Sequence, residues 1–123
     1  IEHDMKVLAL GIAFKGEPET DDIRDSVGVK IINNIRSKCA NLDVFDFSVS
    51  KNVILDLGYD LFDSDSLDCY DAILILNNNR RYVEFLNKLN SEDNQKEYIL
   101  YDPWRMLVLE DQDTLMKSYQ FKL

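Results

Sequence analysis

Short, largely apolar runs recur along this chain, and longer polar or helix-forming stretches separate them. The runs are residues 6–10 (KVLAL), 41–46 (NLDVFD), 71–76 (DAILIL) and 97–101 (EYILY), with a shorter candidate at 59–62 (YDLF). Apolar runs of this length are typical of strands that are buried on both faces, as in a parallel sheet. This feature predicts that the chain folds around such a sheet.

Helical patterns fill much of the sequence between these runs. Residues 26–38 carry apolar side chains at helical spacing, Asp25 or Ser26 is a suitable N-cap, and Gly28 indicates close packing in the first turn. Further segments are expected as a single turn at 64–69, a helix at 80–89, and a short helix that runs into an edge strand at 114–123. Strands that alternate with helices over short connections imply right-handed crossovers. The predicted fold class is therefore α/β, a doubly wound, mostly parallel, Rossmann-like sheet with helices on both faces.

Length and composition restrict the classes of protein to which the chain can belong. Its 123 residues are enough for a single domain, 1–123, and the absence of Met at position 1 indicates a piece of a longer protein. The net charge of −9 excludes a protein that coats nucleic acid, because that affinity needs a positive surface. No apolar run approaches the roughly 20 residues that span a membrane, and no signal peptide is recognised. We therefore expect a cytoplasmic protein with no nucleic-acid or membrane partner.

Several residues that could carry chemistry receive structural interpretations instead. Cys39 and Cys69 lie 30 residues apart without a C-x-x-C motif, and the chain has 1 histidine, so no metal site is expected. Both thiols are predicted to be buried, because no histidine lies nearby in the sequence to activate them. The three asparagines at 77–79 follow a predicted strand, and they are interpreted as caps of the next helix.

The loop that follows the first predicted strand, residues 11–25 (GIAFKGEPETDDIRD), is the most unusual stretch of the chain. Gly11, Ala13 and Gly16 fit a loose dinucleotide-binding pattern. That pattern needs a helix to open directly after the strand, so that its N-terminus meets a pyrophosphate. Here the helix begins only near Ser26, and acidic residues intervene. A self-contained NAD fingerprint is therefore disfavoured.

Three cations follow the predicted strands at the edge where ligands bind in such sheets. Lys15 and Arg24 lie in the 11–25 loop, and Arg105 lies in YDPWRML, just after the fourth long run. In an acidic chain, cations at this edge are suited to bind an anion such as a phosphate. The alternative is that Lys15 and Arg24 pair with the acidic residues of their own loop, while Arg105 lies in an exposed turn and Trp104 belongs to the core.

Taken as units, residues 11–16 (GIAFKG) and 20–26 (TDDIRDS) resemble the start of the C-terminal domain of UDP-glucose/GDP-mannose dehydrogenases. The pattern of that family is approximately G-L-A-F-K, a short spacer and T-D-D-x-R-x-S before a helix. Residues 41–47 and 68–76 resemble the following segments, and residues 101–105 (YDPWR) stand where the family usually has D-G-R-N. The resemblance covers nearly the whole chain.

The resemblance implies the nucleotide-sugar-binding C-terminal domain of an NAD-dependent nucleotide-sugar 6-dehydrogenase, which oxidises the C6 alcohol of a UDP-sugar to the carboxylate in bacterial polysaccharide precursor synthesis. Lys15 and Arg105 would bind the substrate, and Arg24 would bind the NAD diphosphate. The catalytic cysteine and most of the NAD site belong to parts of the family outside this chain, so the piece alone is expected to be inactive. The full-length enzyme would be a homodimer or larger.

Two departures from the family pattern affect these expectations. The spacer at 16–19 is longer than in some members, which affects the direction of Lys15. Pro103 and Trp104 replace a small residue beside Arg105, which predicts a tighter pocket or one that is shaped for another sugar. The alternative function is a non-catalytic α/β regulatory or partner-binding module without a nucleotide ligand.

Overall fold

The computed structural model describes residues 2–90 and 97–107, together with the strand backbone at 119–120. Strands and helices alternate along the described residues. The elements are β1 (Lys6–Leu10), α1 (Val27–Ile35), β2 (Asn41–Phe45), α2 (Lys51–Asp56), β3 (Asp60–Leu61), β4 (Ala72–Ile75), α3 (Arg81–Leu89), β5 (Ile99–Tyr101) and β6 (Tyr119–Gln120).

The strands form one parallel sheet in the order β3-β2-β1-β4-β5-β6. The central strand β1 pairs on both sides, so that Val7 is in register with Leu42 of β2 and with Ala72 of β4. The chain passes from β3 at one edge back to β4 beside β1, and the connections diverge at this point. The predicted Rossmann-like α/β fold is confirmed. Folds of this class bind ligands at the carboxyl edge where the connections diverge, which here is the edge of β1 and β4.

Alternate residues of the central strands pack into two separate apolar layers. Val7, Ala9 and Leu74 face the side that carries α1 and α2, where Ile32 and Ile54 cover them. The other layer lies under α3, and its fully buried members include Leu8, Leu10, Ile73, Ile75, Tyr82 and Leu86. Both faces of the sheet are therefore covered, which explains why the central strands read as continuous apolar runs.

The start of α1 agrees with its sequence signals. The Ser26 hydroxyl accepts a hydrogen bond from the amide of Val29 at 3.1 Å, as an N-cap residue does. Gly28 is buried against the loop after β1, and a Cβ there would stand 2.3 Å from the carbonyl oxygen of Gly11. The expectation that Gly28 permits close packing is confirmed.

The structure differs from the sequence-based prediction in a few segments. Helix α2 was not predicted, because it is six residues long and buries only Ile54; its signal was Ser50, whose hydroxyl accepts from the amide of Val53 at 3.3 Å. Residues 64–69 form bends and a turn rather than a helical turn. The edge strand expected near the end is present as β6, whereas the helix expected from residue 114 lies outside the described residues.

The two thiols occupy different environments. Cys39 is buried at the start of β2, and this burial raises the pKa of its thiol. Cys69 is exposed in the turn before β4, so the prediction that it is buried was wrong. Among the described residues, no helix has both the length and the apolar character needed to cross a membrane.

Candidate functional site

The loop between β1 and α1 starts at the carboxyl end of the central strand and lies over its neighbours. Gly11 adopts φ of 105°, and its amide donates a hydrogen bond of 2.9 Å to the carbonyl of Phe45 at the end of β2. A Cβ at Gly11 would stand 2.7 Å from Cγ of Asn77, which follows β4. A glycine is required here because the backbone is left-handed and another side chain occupies the space.

A buried carboxylate at the end of β2 holds the first residues of this loop. Asp46 is 5% exposed, and its Oδ2 accepts hydrogen bonds from the amides of Ile12 and Ala13 at 2.8 and 2.9 Å. Its Oδ1 accepts from the amide of Ser48 at 2.7 Å, which turns the chain after β2. These donors compensate the burial of the carboxylate charge.

The three asparagines after β4 bind the loop from the other side. Asn78 Oδ1 accepts hydrogen bonds from the amides of Gly16 and Glu17 at 2.9 and 3.0 Å. Asn77 Nδ2 is 3.4 Å from the carbonyl oxygen of Ala13. Near the start of α3, Asn77 Oδ1 accepts from the amide of Asn79 at 3.2 Å, and Asn79 Oδ1 accepts from the amide of Arg81 at 3.0 Å. The N-cap residue of α3 is Arg80, which forms no side-chain cap bond, so the interpretation of the three asparagines as helix caps was wrong.

An acidic residue of the loop is neutralised by a residue of α3. Glu19 Oε1 accepts a hydrogen bond from Nη1 of Arg81 at 2.9 Å and from Nδ2 of Asn79 at 2.8 Å. The hydrogen bond from Arg81 is the main cause of the lowered pKa of the Glu19 carboxyl. The Arg81 guanidinium also lies 4.1 Å from the ring centroid of Phe47, a cation–π contact. Glu19 therefore fastens the loop to α3.

Arg24 is paired with an acidic residue of its own loop. Its Nε and Nη2 donate to Oδ1 and Oδ2 of Asp22 at 3.0 and 2.8 Å, which is a two-pronged contact. These hydrogen bonds lower the pKa of the Asp22 carboxyl to about 2. The Arg24 side chain is nevertheless 87% exposed, so it remains accessible to an anion. For Arg24, the predicted alternative, an ion pair with an acidic residue of its own loop, is therefore confirmed.

Lys15 has a different environment from Arg24. Its side chain is exposed, and its ammonium lies 5.7 Å from the ring centroid of Phe14, which is itself 51% exposed. None of the ion pairs between described residues includes Lys15. The expected alternative, a pair with Glu17, Glu19, Asp21 or Asp22, is therefore not formed.

Arg105 lies in the turn that follows β5. Buried Asp102 organises this turn, because its carboxylate accepts hydrogen bonds from the amides of Met106 and Leu107 at 3.2 and 3.0 Å. Arg105 adopts φ of 55°, which is uncommon for a residue other than glycine. Its side chain is exposed beside Trp104, which is 44% exposed, and it forms no ion pair within 2–90 and 97–107.

The fold brings all three predicted cations to one edge of the sheet. Lys15 and Arg24 follow β1, and Arg105 follows β5, with β4 as the strand between them. Strands β1 and β5 are two strand spacings apart, which is about 10 Å. Lys15 and Arg105 have no ion-pair partner in the part of the chain that the structure describes. An exposed aromatic residue directly precedes each of them, Phe14 before Lys15 and Trp104 before Arg105. The edge therefore offers apolar surface and positive charge together.

A groove of about 160 Å³ lies at the opposite edge of the sheet, where β2 and β3 begin. The guanidinium of Arg36 lies 5.1 Å from the ring centroid of Tyr59 in this groove, and the Tyr59 hydroxyl donates to Asn33 at 2.7 Å. Ligands of such sheets bind at the carboxyl edge, so the groove is not the candidate site. Across residues 2–90 and 97–107, no cluster of His, Cys, Asp and Glu is suited to hold a metal ion.

Sequence reasoning missed the residues that hold the site together. Asp46 and Asp102 each follow a strand, and a lone acidic residue directly after an apolar run is the signal that could have indicated them. The hydrogen bonds that Asn78 accepts from Gly16 and Glu17 span 62 and 61 residues of sequence, and the pairing of Glu19 with Arg81 spans 62. Local sequence patterns do not indicate partners at such separations.

Comparison with known families gives one match over most of the chain. The pattern described as "UDP-glucose/GDP-mannose dehydrogenase family, UDP binding domain" matches residues 8–109. This range begins in β1 and includes the loop after β1, the asparagines after β4 and the turn after β5. No curated protein matches the chain.

Proposed function

This chain belongs to the UDP-glucose/GDP-mannose dehydrogenase family as its UDP binding domain, and we propose that its carboxyl edge holds the diphosphate of a nucleotide sugar. Lys15 and Arg105 are the proposed ligands. The observation that carries the proposal is that both are unpaired with any described residue at the edge where parallel sheets bind ligands.

The charge arrangement of the loop supports an anion at this position. Four acidic residues precede Arg24 in the loop, which by itself would repel a phosphate. Two of them are compensated, since Glu19 is paired with Arg81 and Asp22 with Arg24. Glu17 and Asp21 are exposed, so solvent and salt screen their charges. Lys15 and Arg105 then supply the attraction. Lysine acts on a diphosphate as a point charge, whereas arginine binds it through two parallel hydrogen bonds.

Arg24 is proposed to bind the diphosphate of NAD. Its guanidinium is largely exposed, and the fork that now holds Asp22 has the geometry that phosphate oxygens require. Binding would give the guanidinium one anionic partner in place of another. Asp22 would lose the side chain of Arg24 but would keep the hydrogen bond from the amide of residue 24. The proposed oxidation of the alcohol to the carboxylate removes two hydrides in two steps, so two NAD⁺ would accept them in turn while water would supply the added oxygen. In this proposal most of the NAD contacts come from other parts of the enzyme.

The proposed reaction is the oxidation of the C6 alcohol of a UDP-sugar to the carboxylate, in a cytoplasmic enzyme that serves bacterial polysaccharide precursor synthesis as a homodimer or larger assembly. This chain would bind and orient the nucleotide sugar, and it would supply no catalytic residue. Trp104 stands beside Arg105 where the family pattern has a small residue, so we propose that it narrows the range of accepted sugars.

A nuclear magnetic resonance titration tests the proposed site. The ¹⁵N-labelled 123-residue chain is titrated with UDP, and UMP and inorganic phosphate serve as controls. We expect shifts at the amides of Lys15 and Arg105 that require the diphosphate, with weaker effects from UMP. If millimolar UDP leaves both signals unchanged, a nucleotide site in this chain is contradicted and the alternative, a module without a nucleotide ligand, is favoured.

A further inference from the structure

The side chains of Asp46, which follows β2, and Asn78, which follows β4, hold the backbone on both sides of Lys15. On the amino side, Asp46 accepts hydrogen bonds from the amides of residues 12 and 13 at 2.8 and 2.9 Å. On the carboxyl side, Asn78 accepts from the amides of residues 16 and 17 at 2.9 and 3.0 Å. Lys15 is therefore an exposed cation on a segment that is anchored at both ends.

The two side chains that hold the loop, those of Asp46 and Asn78, differ in burial. Asp46 is buried at the end of β2 and also organises the turn to Ser48, so its removal would disturb more than the loop. Asn78 is half-buried, and among the described residues its Oδ1 accepts hydrogen bonds only from the amides of Gly16 and Glu17. Substitution of Asn78 should therefore free the backbone on the carboxyl side of Lys15 and leave the rest of the fold unchanged.

Gly16 makes the contact with Asn78 sensitive to substitution. Gly16 is buried, and a Cβ there would stand 2.1 Å from the amide nitrogen of Asn79, so the loop lies directly against the connection from β4 to α3. Without the Asn78 oxygen, the Gly16 amide would have no acceptor unless the loop moved out to water. Such a movement would displace the adjacent Lys15.

We infer that Asn78 is a positioning residue for nucleotide binding, which acts through Lys15 by holding the loop at Gly16 and Glu17. The inference rests on the proposed function, since it assigns Asn78 a role at the same site. A ligand cation that is held in place before binding loses less conformational freedom when the anion arrives. Asn78 would therefore raise the affinity for UDP without any contact of its own with UDP.

The first test is the affinity of the 123-residue chain for UDP after the substitution Asn78→Leu, which keeps a similar side-chain size and removes the acceptor. We expect the dissociation constant to rise about fivefold, the effect of roughly one net hydrogen bond. Asn87→Leu is the matched control, because Asn87 is a half-buried asparagine of α3 whose Oδ1 has no partner among the described residues. That control is expected to bind UDP as the unsubstituted chain does.

A double-mutant cycle separates positioning from a general loss of structure. If Asn78 acts through Lys15, Asn78→Leu has no further effect once Lys15→Ala is present, so the double variant binds UDP as Lys15→Ala alone does. Additive losses, or full affinity in Asn78→Leu, would overturn the inference while leaving the proposed site intact. If the unsubstituted chain fails to bind UDP, or Lys15→Ala binds normally, the proposed function itself fails and the inference falls with it.

Discussion

A Cβ on Gly28 would stand 2.3 Å from the carbonyl oxygen of Gly11, so α1 touches the backbone of the first loop with no side chain between them. Contacts of this kind fix the distance between a helix and a loop more tightly than side-chain packing does, because neither backbone can rotate away. The start of α1 and the loop that carries Lys15 are consequently one packed unit.

Replacing Gly28 with alanine is expected to destabilise the fold. In an exposed helix the change would stabilise by about 1 kcal/mol, because alanine has the higher helix propensity. Here the added methyl meets a backbone carbonyl, and overpacking of this kind costs about 1–3 kcal/mol. We expect a net loss of up to about 2 kcal/mol in the free energy of unfolding in urea. Asn34→Ala, at an exposed position of α1, should cause no loss; higher stability in Gly28→Ala would contradict the close contact.

Lys15→Ala is expected to weaken UDP binding about tenfold, because one charge-assisted contact to the diphosphate is lost. The free energy of unfolding should change by less than about 0.5 kcal/mol, since Lys15 is exposed and in no ion pair with a described residue. Calorimetric titration with UDP measures the first quantity, and urea unfolding measures the second. Lys38→Ala removes an exposed lysine beyond the other end of α1 and should bind UDP normally. Equal affinities in the two variants would count against Lys15 as a ligand.

Two substitutions of Arg105 should differ in the free energy of unfolding and lose the same affinity for UDP. Its φ of 55° favours glycine over any residue with a Cβ, and the difference is about 1 kcal/mol. Arg105→Gly should therefore be more stable than Arg105→Ala by about that amount, while both lose UDP affinity by about the same factor. Urea unfolding and calorimetric titration of the two variants provide the comparison. A glycine variant less stable than the alanine variant would mean that the backbone here is not left-handed.

The Asp22 carboxyl should titrate at an unusually low pH. The hydrogen bonds from Arg24 lower its pKa from 3.8 to about 2. Since the pKa is lowered in the folded chain, the ion pair stabilises the fold above pH of about 4, and its contribution is lost as the pH falls towards 2. A carbon-detected titration of the side-chain carboxyls measures this pKa directly. In Arg24→Ala the pKa should rise towards the ordinary range, and the amide of residue 24, which donates to the same carboxyl at 2.9 Å, should keep it below that range. An unchanged value would mean that the guanidinium is not the main cause of the shift.

The central sheet could be predicted from sequence because its signal is local. A strand such as Lys6–Leu10 is apolar at nearly every position, and burial on both faces is the only arrangement that suits it. Helix α2 could not be recognised in the same way, since six residues with one buried isoleucine carry almost no periodicity. The two-residue strand β3 was found, although its predicted bounds were longer.

The cations of the candidate site could be located from sequence, but their partners could not. Position after a strand places Lys15 and Arg105 at the carboxyl edge whatever the details of packing. Which acidic residue pairs with which cation depends on the loop conformation. Arg24 pairs with Asp22, two residues away, whereas Glu19 pairs with Arg81, which is 62 residues away in the sequence. The roles of Lys15, Arg24 and Arg105 in ligand binding remain predictions.

The short length of β3 affects whether the sheets of two molecules can pair edge to edge. Asp60–Leu61 is the outermost strand on its side, and it exposes only two residues of backbone along that edge. An incoming strand from a neighbouring molecule would find few hydrogen-bonding groups there and a carboxylate beside them. Sheet growth from one molecule to the next, the first step towards fibres, is therefore discouraged at this edge by geometry and by charge.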